Sequence, residues 1–340
     1  MYESETRETP QSEPRKKRFG RLPMPGILRK ALTVPEIGIL APLIAFTLLF
    51  DSLNPRFLSA SSVEALLRGL AFVGVIGVGM TFLMVVGELD LSVGSVAGLC
   101  AIVAAWLMEK AGWNVAESLI AGLCLGAVVG LINGLIAVKI GIPAFITTLG
   151  MLYIARGFNY LICSGYPIYP LPHVVNSFGE ANPIGLSWSF LILVGIVLLG
   201  DFVLRRTTFG RMIYATGGNR EVARISGINT SAVKIGCYML TGTLAALGGI
   251  LTMASLNVGQ PDIGQGWELD VIASVVIGGV SLFGGVGTVV GSFIGLLVMQ
   301  VVSTGLVMTG VRSHWQTVAV GSIMIVAVGM DLLRRRACVS

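Results

Sequence analysis

Apolar residues come in long unbroken runs along this chain, and polar residues are confined to short clusters between them. The runs do not alternate as the strands of a porin-type barrel would. They are continuously apolar and close to the about 20 residues that a helix needs to span a bilayer. The pattern predicts spans near 36–50, 63–86, 91–109, 116–138, 144–163, 187–204, 232–254, 269–286, 289–309 and 315–333. The expected fold is therefore an all-α polytopic membrane protein of about ten transmembrane helices.

Composition strengthens this reading. Hydrophobic residues make up 54% of 340 residues and charged ones 12%, against roughly 25% charged in a soluble domain. Mean hydropathy is +0.84. There is too little polar sequence to coat a soluble enzyme of this size, and too much apolar sequence for a disordered chain. The formal charge of +5 does not point to nucleic acid, because the basic residues flank apolar runs. Eight lie in residues 1–30, six between Arg205 and Lys234, and three at Arg334, Arg335 and Arg336. With both termini cytoplasmic, six spans bring the chain inside at Arg205 and four more at Arg334, as the positive-inside rule asks.

This divides the chain into a basic tail over 1–33, expected to be disordered, a membrane domain over 34–333, and a short tail over 334–340. A Pro-bearing loop over about 164–186 falls outside, and a polar, glycine-punctuated loop over about 205–231 falls inside. Two Gly- and Ser-rich interruptions, VGELDLSVGSVAG (86–98) and GGVSLFGGVGTVVGSFIG (278–295), hint at a pseudo-repeat of two halves. Interrupted segments at matching positions often mark a transport pathway.

Gly122, Gly126, Gly130 and Gly134 share one helix face, as do Gly287, Gly291 and Gly295. Such ridges let a neighbouring backbone approach closely. Glu88 and Asp90 stand between two apolar runs. A carboxylate at membrane depth is a functional candidate by default, although Asp90, helped by Ser92, can instead cap a helix starting near Leu91. Asn133, Arg156 and Asn159 are further polar residues in apolar surroundings, and Arg156 can pair with a carboxylate or snorkel. Glu268 and Asp270 suit a helix N-terminus. Gln260 and Asp262 fall in an outside loop, open to an external partner. The five cysteines read as small apolar packing residues, and with two distant histidines they form no metal motif. No P-loop, H-E-x-x-H or G-x-S-x-G occurs, so the residues offer no nucleotide loop, zinc protease or serine hydrolase.

Four ordered blocks resemble the permease subunits of sugar-importing ABC transporters of the ribose, xylose, arabinose and galactose type. They are GELDLSVGS (87–95), INGLIAVKIGIPAFITTLGMLYIARG (132–157), TTFGRMIYATGGNREVARISGIN (207–229) and GQGWELDVIASVVIGGVSLFGGVGT (264–288). The resemblance covers roughly residues 40–333. It implies that the 205–231 loop carries a short helix docking in a groove of a separate ATP-binding subunit. Gly217 and Gly218 would make a sharp turn, and Asn219 would cap the helix with Glu221 in its first turn. Ala223 and Gly227 would give a small face to the partner, with Ser226 hydrogen-bonding across it. Asp90, Ser92, Asn133 and Glu88 would line the substrate path. The resemblance also implies two ATP-binding subunits, a second permease chain (identical or similar), a periplasmic sugar-binding protein and a bacterial inner-membrane location. This chain would bind no cofactor; ATP and magnesium would sit on the ATPase subunits. The family commonly has Gly-Gly where this chain has Gly87-Glu88, and Asn-Gly-Leu where it has Thr304-Gly305-Leu306, which leaves the sugar open. The rival expectation is an ion-coupled transporter titrating Asp90 or Glu88.

Overall fold

The computed structural model describes residues 35–176 and 185–312, with scattered positions between 314 and 329. The basic tail over 1–33, Pro183, most of the last expected span and the tail over 334–340 lie outside the described residues. Those described are helical throughout, joined by turns. They form α1 (Pro35–Leu53), α2 (Ala60–Val85), α3 (Val93–Glu109), α4 (Val115–Leu135), α5 (Ala144–Cys163), α6 (His173–Asn176), α7 (Trp188–Arg206), α8 (Thr208–Gly218), α9 (Arg220–Ile225), α10 (Thr230–Leu256), α11 (Trp267–Ile277) and α12 (Val289–Met308). A π-helical turn, Ile136–Ile140, extends α4. Among the described residues, five helical stretches are long and apolar enough to cross a membrane: Ala60–Val85, Val115–Ile140, Trp188–Arg206, Thr230–Leu256 and Val289–Met308.

The starts of these helices follow from side chains that satisfy otherwise unpaired amides. Ser59 accepts from Ser62 N, Asn114 from Glu117 N, Ser187 from Phe190 N, Asn229 from Ala232 N and Thr288 from Gly291 N.

Helix α10 is central, packed against α2, α3 and α4. The glycine ridge of α4 makes this packing close. A Cβ added at Gly126 would strike the Gly242 carbonyl, one at Gly130 the Tyr238 carbonyl, and one at Gly134 would lie 3.1 Å from Ile235 Cα. In α12 the ridge is shorter than expected. Gly291 and Gly295 face the Gly278 and Ser274 carbonyls, but Gly287 lies before the helix, at φ 149°.

One predicted span is cut short. Helix α11 ends at Ile277, where a continuous run over 269–286 was expected. Gly279, Gly284, Gly285 and Gly287 all take positive φ, which only glycine adopts freely, so the apolar segment over 278–288 folds as turns. The 164–186 loop contributes the short α6 and a bridge, in which Ile168 N donates to Gly259 O at 2.9 Å and Gly259 N to Ile168 O at 3.0 Å. The loop over 205–231 is mostly helical, as α8 and α9.

The two halves are laid out alike, but with a different pairing of interruptions. A long helix (α2 or α10), a non-helical stretch, a shorter helix (α3 or α11) and another long helix (α4 or α12) follow in the same order. The stretch matching VGELDLSVG (86–94) is VGQPDIGQG (258–266) rather than 278–295. The two stretches meet: Gly94 lies against the Gly264 carbonyl, and a Cβ at Gly98 would be 2.6 Å from Ile263 O.

Candidate functional site

Three polar groups stand out among the buried apolar residues. The first joins Asp90, Ser92 and Asn133, at 2%, 0% and 0% exposure. Asp90 does not cap the helix itself. Helix α3 begins at Val93, and Ser92 at its N-cap makes no side-chain cap bond. Instead Asp90 Oδ1 accepts from Ser92 N at 2.7 Å and Ser92 Oγ at 2.6 Å. Asn133 Nδ2 donates to Ser92 Oγ at 3.0 Å and Asp90 Oδ2 at 3.3 Å. These residues fasten the α2–α3 connection to α4, so three of the four expected on the substrate path are held by one another.

The fourth, Glu88, belongs to the second group. Lys234 Nζ donates to Glu88 Oε1 at 2.6 Å, and Tyr238 Oη to Glu88 Oε2 at 3.0 Å. The carboxylate that replaces the second glycine of the resembled motif is thus balanced by a lysine one turn into α10. Sequence reasoning counted Lys234 only as part of a basic cluster. Its place inside an apolar run was the signal available.

The third group lies between α3 and α5. Arg156 on α5 donates to Ser95 Oγ from Nε at 3.2 Å and Nη2 at 3.1 Å. Ser95 thus anchors Arg156, which also lies close enough to Glu268 for the two charges to interact. Asn159 is fully buried, and both its side-chain polar atoms lack a partner.

The loop over 205–231 departs from its expected geometry in instructive ways. Asn219 caps α9, its Oδ1 accepting from Glu221 N and Val222 N, each at 3.0 Å. The break between α8 and α9 falls at Asn219 itself, which is extended at φ −156°. Gly217 and Gly218 instead close α8. Gly217 is there for close approach: a Cβ would overlap the Val85 carbonyl and lie 2.7 Å from Gly285 N, whereas Gly218 faces open space. Ala223 is 3% exposed and buried within the chain, so it cannot face a partner. Gly227 lies past the helix end at φ 83°. Ser226 Oγ donates back to Val222 O at 2.9 Å. The outward face of α9 is made by Val222 and Ile225, 58% and 78% exposed, beside the Glu221–Arg224 ion pair.

Helix α8 is wired to the interior through backbone contacts. Gly285 N donates to Val85 O at 2.8 Å, against Gly217. Tyr214 Oη donates to Gly287 O at 2.6 Å. Burial pushes the Tyr214 phenol above its usual range. The segment before α9 therefore touches both the end of α2 and the 278–288 turns.

Residues 62–328 match the family described as branched-chain amino acid transport system / permease component. The chain belongs to this permease family. It is a multi-pass membrane protein of transport rather than an enzyme. Among its relatives, the ribose import permease protein RbsC of Escherichia coli (strain K12) is 35% identical over 306 residues, covering 89% of this permease and 95% of the relative. The fructose import permease protein FrcC of Rhizobium meliloti is 34% identical over 306 residues, covering 88% and 84%. The xylose transport system permease protein XylH of Escherichia coli (strain K12) is 32% identical over 369 residues, covering 90% and 94%. No solved structure matches the chain at a significant level.

Proposed function

We propose that this permease is the membrane subunit of an ATP-driven importer and forms the passage for a monosaccharide, a pentose or hexose. The observation that carries the reading is the near full-length similarity to permeases named for ribose, fructose and xylose. The family description names branched-chain amino acids, but these three relatives each carry a sugar name.

In this reading the chain crosses the bacterial inner membrane about ten times, with the tails over 1–33 and 334–340 cytoplasmic. The loop over 164–186 is periplasmic and meets a soluble sugar-binding protein. The loop over 205–231 is cytoplasmic and couples to the ATPase. Gly217, Asn219, Glu221, Ala223, Ser226 and Gly227 shape and hold α9, Gly218 leaves space beside it, and Val222 and Ile225 dock. Two ATP-binding subunits carry ATP and magnesium, and a second permease chain completes the passage. Nucleotide binding favours one packing of the spans over another, and α9 transmits that preference through the Gly217–Val85 contact. Asp90, Ser92, Asn133 and Glu88 shape the wall of the passage by holding its helices.

The test is uptake of labelled D-ribose, D-fructose, D-xylose and L-leucine into cells expressing the permease with its ATPase and binding protein. ATP-dependent accumulation of a sugar is expected. Accumulation of leucine alone would replace the cargo assignment. Uptake that persists without the ATPase would restore the ion-coupled alternative.

A further inference from the structure

We propose that Ser95, Arg156, Asn159 and Glu268 form a transit subsite that hydrogen-bonds the hydroxyls of the passing sugar. The inference rests on the sugar-permease reading and adds residues to it. Four buried side-chain atoms are left without partners here: Arg156 Nη1, Asn159 Nδ2, Asn159 Oδ1 and Glu268 Oε2. Buried polar groups in native proteins are nearly always paired, with protein or with water, so these four atoms have hydrogen bonds to offer a water or a passing ligand.

The cluster is built, not accidental. It lies where the two non-helical stretches meet. A Cβ at Gly94 would lie 2.5 Å from Glu268 Oε2, and one at Gly98 would lie 2.7 Å from Asn159 Nδ2. Glycines one helical turn apart on α3 thus make room for one polar side chain from α11 and one from α5. Ser95, between them, holds the Arg156 guanidinium by two of its N–H groups and leaves the third nitrogen free.

The chemistry of the set suits a polyhydroxylated ligand. Arg156 Nη1 and Asn159 Nδ2 are donors; Asn159 Oδ1 and Glu268 Oε2 are acceptors. A hydroxyl both donates and accepts, so adjacent hydroxyls on one ring can meet both kinds of group. The ammonium and carboxylate of an amino acid could meet them as well, so the choice of a sugar comes from the sugar-named relatives. On α5, Tyr153 and Tyr160 flank Arg156 at helical spacing and are 70% and 44% exposed. Their rings offer the apolar faces that suit the CH side of a sugar.

The experiment compares the best-imported sugar of D-ribose, D-fructose and D-xylose with its monodeoxy analogues, at concentrations that saturate the binding protein. It uses the assembled transporter carrying wild-type permease, Asn159→Leu or the isosteric Glu268→Gln. Size-exclusion chromatography in mild detergent shows which complexes are intact. The wild type should prefer the parent sugar, and the variants should compress the parent-to-deoxy ratio at least threefold for one hydroxyl position. A packing defect lowers both rates equally and leaves the ratio fixed. An unchanged ratio in intact Glu268→Gln and Asn159→Leu complexes would overturn the subsite while leaving the sugar reading intact. Wild-type permease that imports none of the three sugars would overturn the reading, and the subsite with it.

Discussion

Lys234 Nζ sits 2.6 Å from Glu88 Oε1, with both side chains largely buried, at 10% and 14% exposure. The pair ties the first non-helical stretch to the start of α10. Removing one partner leaves a buried charge uncompensated, which typically costs about 3–5 kcal/mol. Glu88→Gln and Lys234→Met should each lower the thermal unfolding midpoint in detergent. The double variant should recover much of the loss, because no lone charge remains. If the double variant is as unstable as the sum of the singles, the pair is not the interaction that matters.

Gly217 and Gly218 are adjacent but should respond differently. Gly217→Ala drives a methyl into the Val85 carbonyl, whereas Gly218→Ala meets nothing within 4 Å. Overpacking of this kind costs about 1–3 kcal/mol. Because the contact joins the segment before α9 to the end of α2, Gly217→Ala should also weaken transport-coupled ATP hydrolysis in the assembled importer. Gly218→Ala should leave hydrolysis within about twofold of wild type. Equal loss in both variants would remove this contact from the coupling route.

The long helices were legible as apolar runs because lipid imposes one strong rule, a run of about 20 apolar residues, and five of the ten expected spans are met by stretches long and apolar enough among the described residues. Helix α5 was located at 144–163, the bounds observed for Ala144–Cys163. Where a run is apolar but not helical, that rule misleads. Val280, Leu282 and Val286 hid the end of α11, although the positive-φ glycines around them mark the break. The polar groups were legible only by type. Glu88 and Lys234 are 146 positions apart, and no local pattern says that they meet. Ala223 shows the opposite error: a small residue reads as an open docking face, yet it is buried by its own chain.

Asn219 and Ile225 separate the folding of α9 from its use. Asn219→Ala removes the side-chain acceptor for two amides, worth about 1 kcal/mol, and should reduce ATPase association modestly by fraying a six-residue helix. Ile225 is 78% exposed, so Ile225→Asp should leave the thermal midpoint unchanged. It should nevertheless abolish co-purification of the ATPase in mild detergent. Retention of the ATPase by Ile225→Asp would move the docking face elsewhere on the loop.

Asp90 decides between the two energy sources that a buried carboxylate suggests. Its oxygens accept bonds from Ser92 and Asn133, and it has no exposed face on which to exchange protons with a passing substrate. A group held in this way braces the α2–α3 connection. Asp90→Ala should therefore destabilise the permease, by about 1–3 kcal/mol for each bonded group left unpaired. Asp90→Asn, which keeps the Oδ1 acceptor, should do less harm. In ATP-loaded vesicles holding the complete wild-type importer, collapsing the proton gradient with an ionophore should leave the initial rate of sugar uptake unchanged. Uptake that falls with the gradient, and ceases to depend on it in Asp90→Asn, would make Asp90 a titrating group in transport rather than a brace.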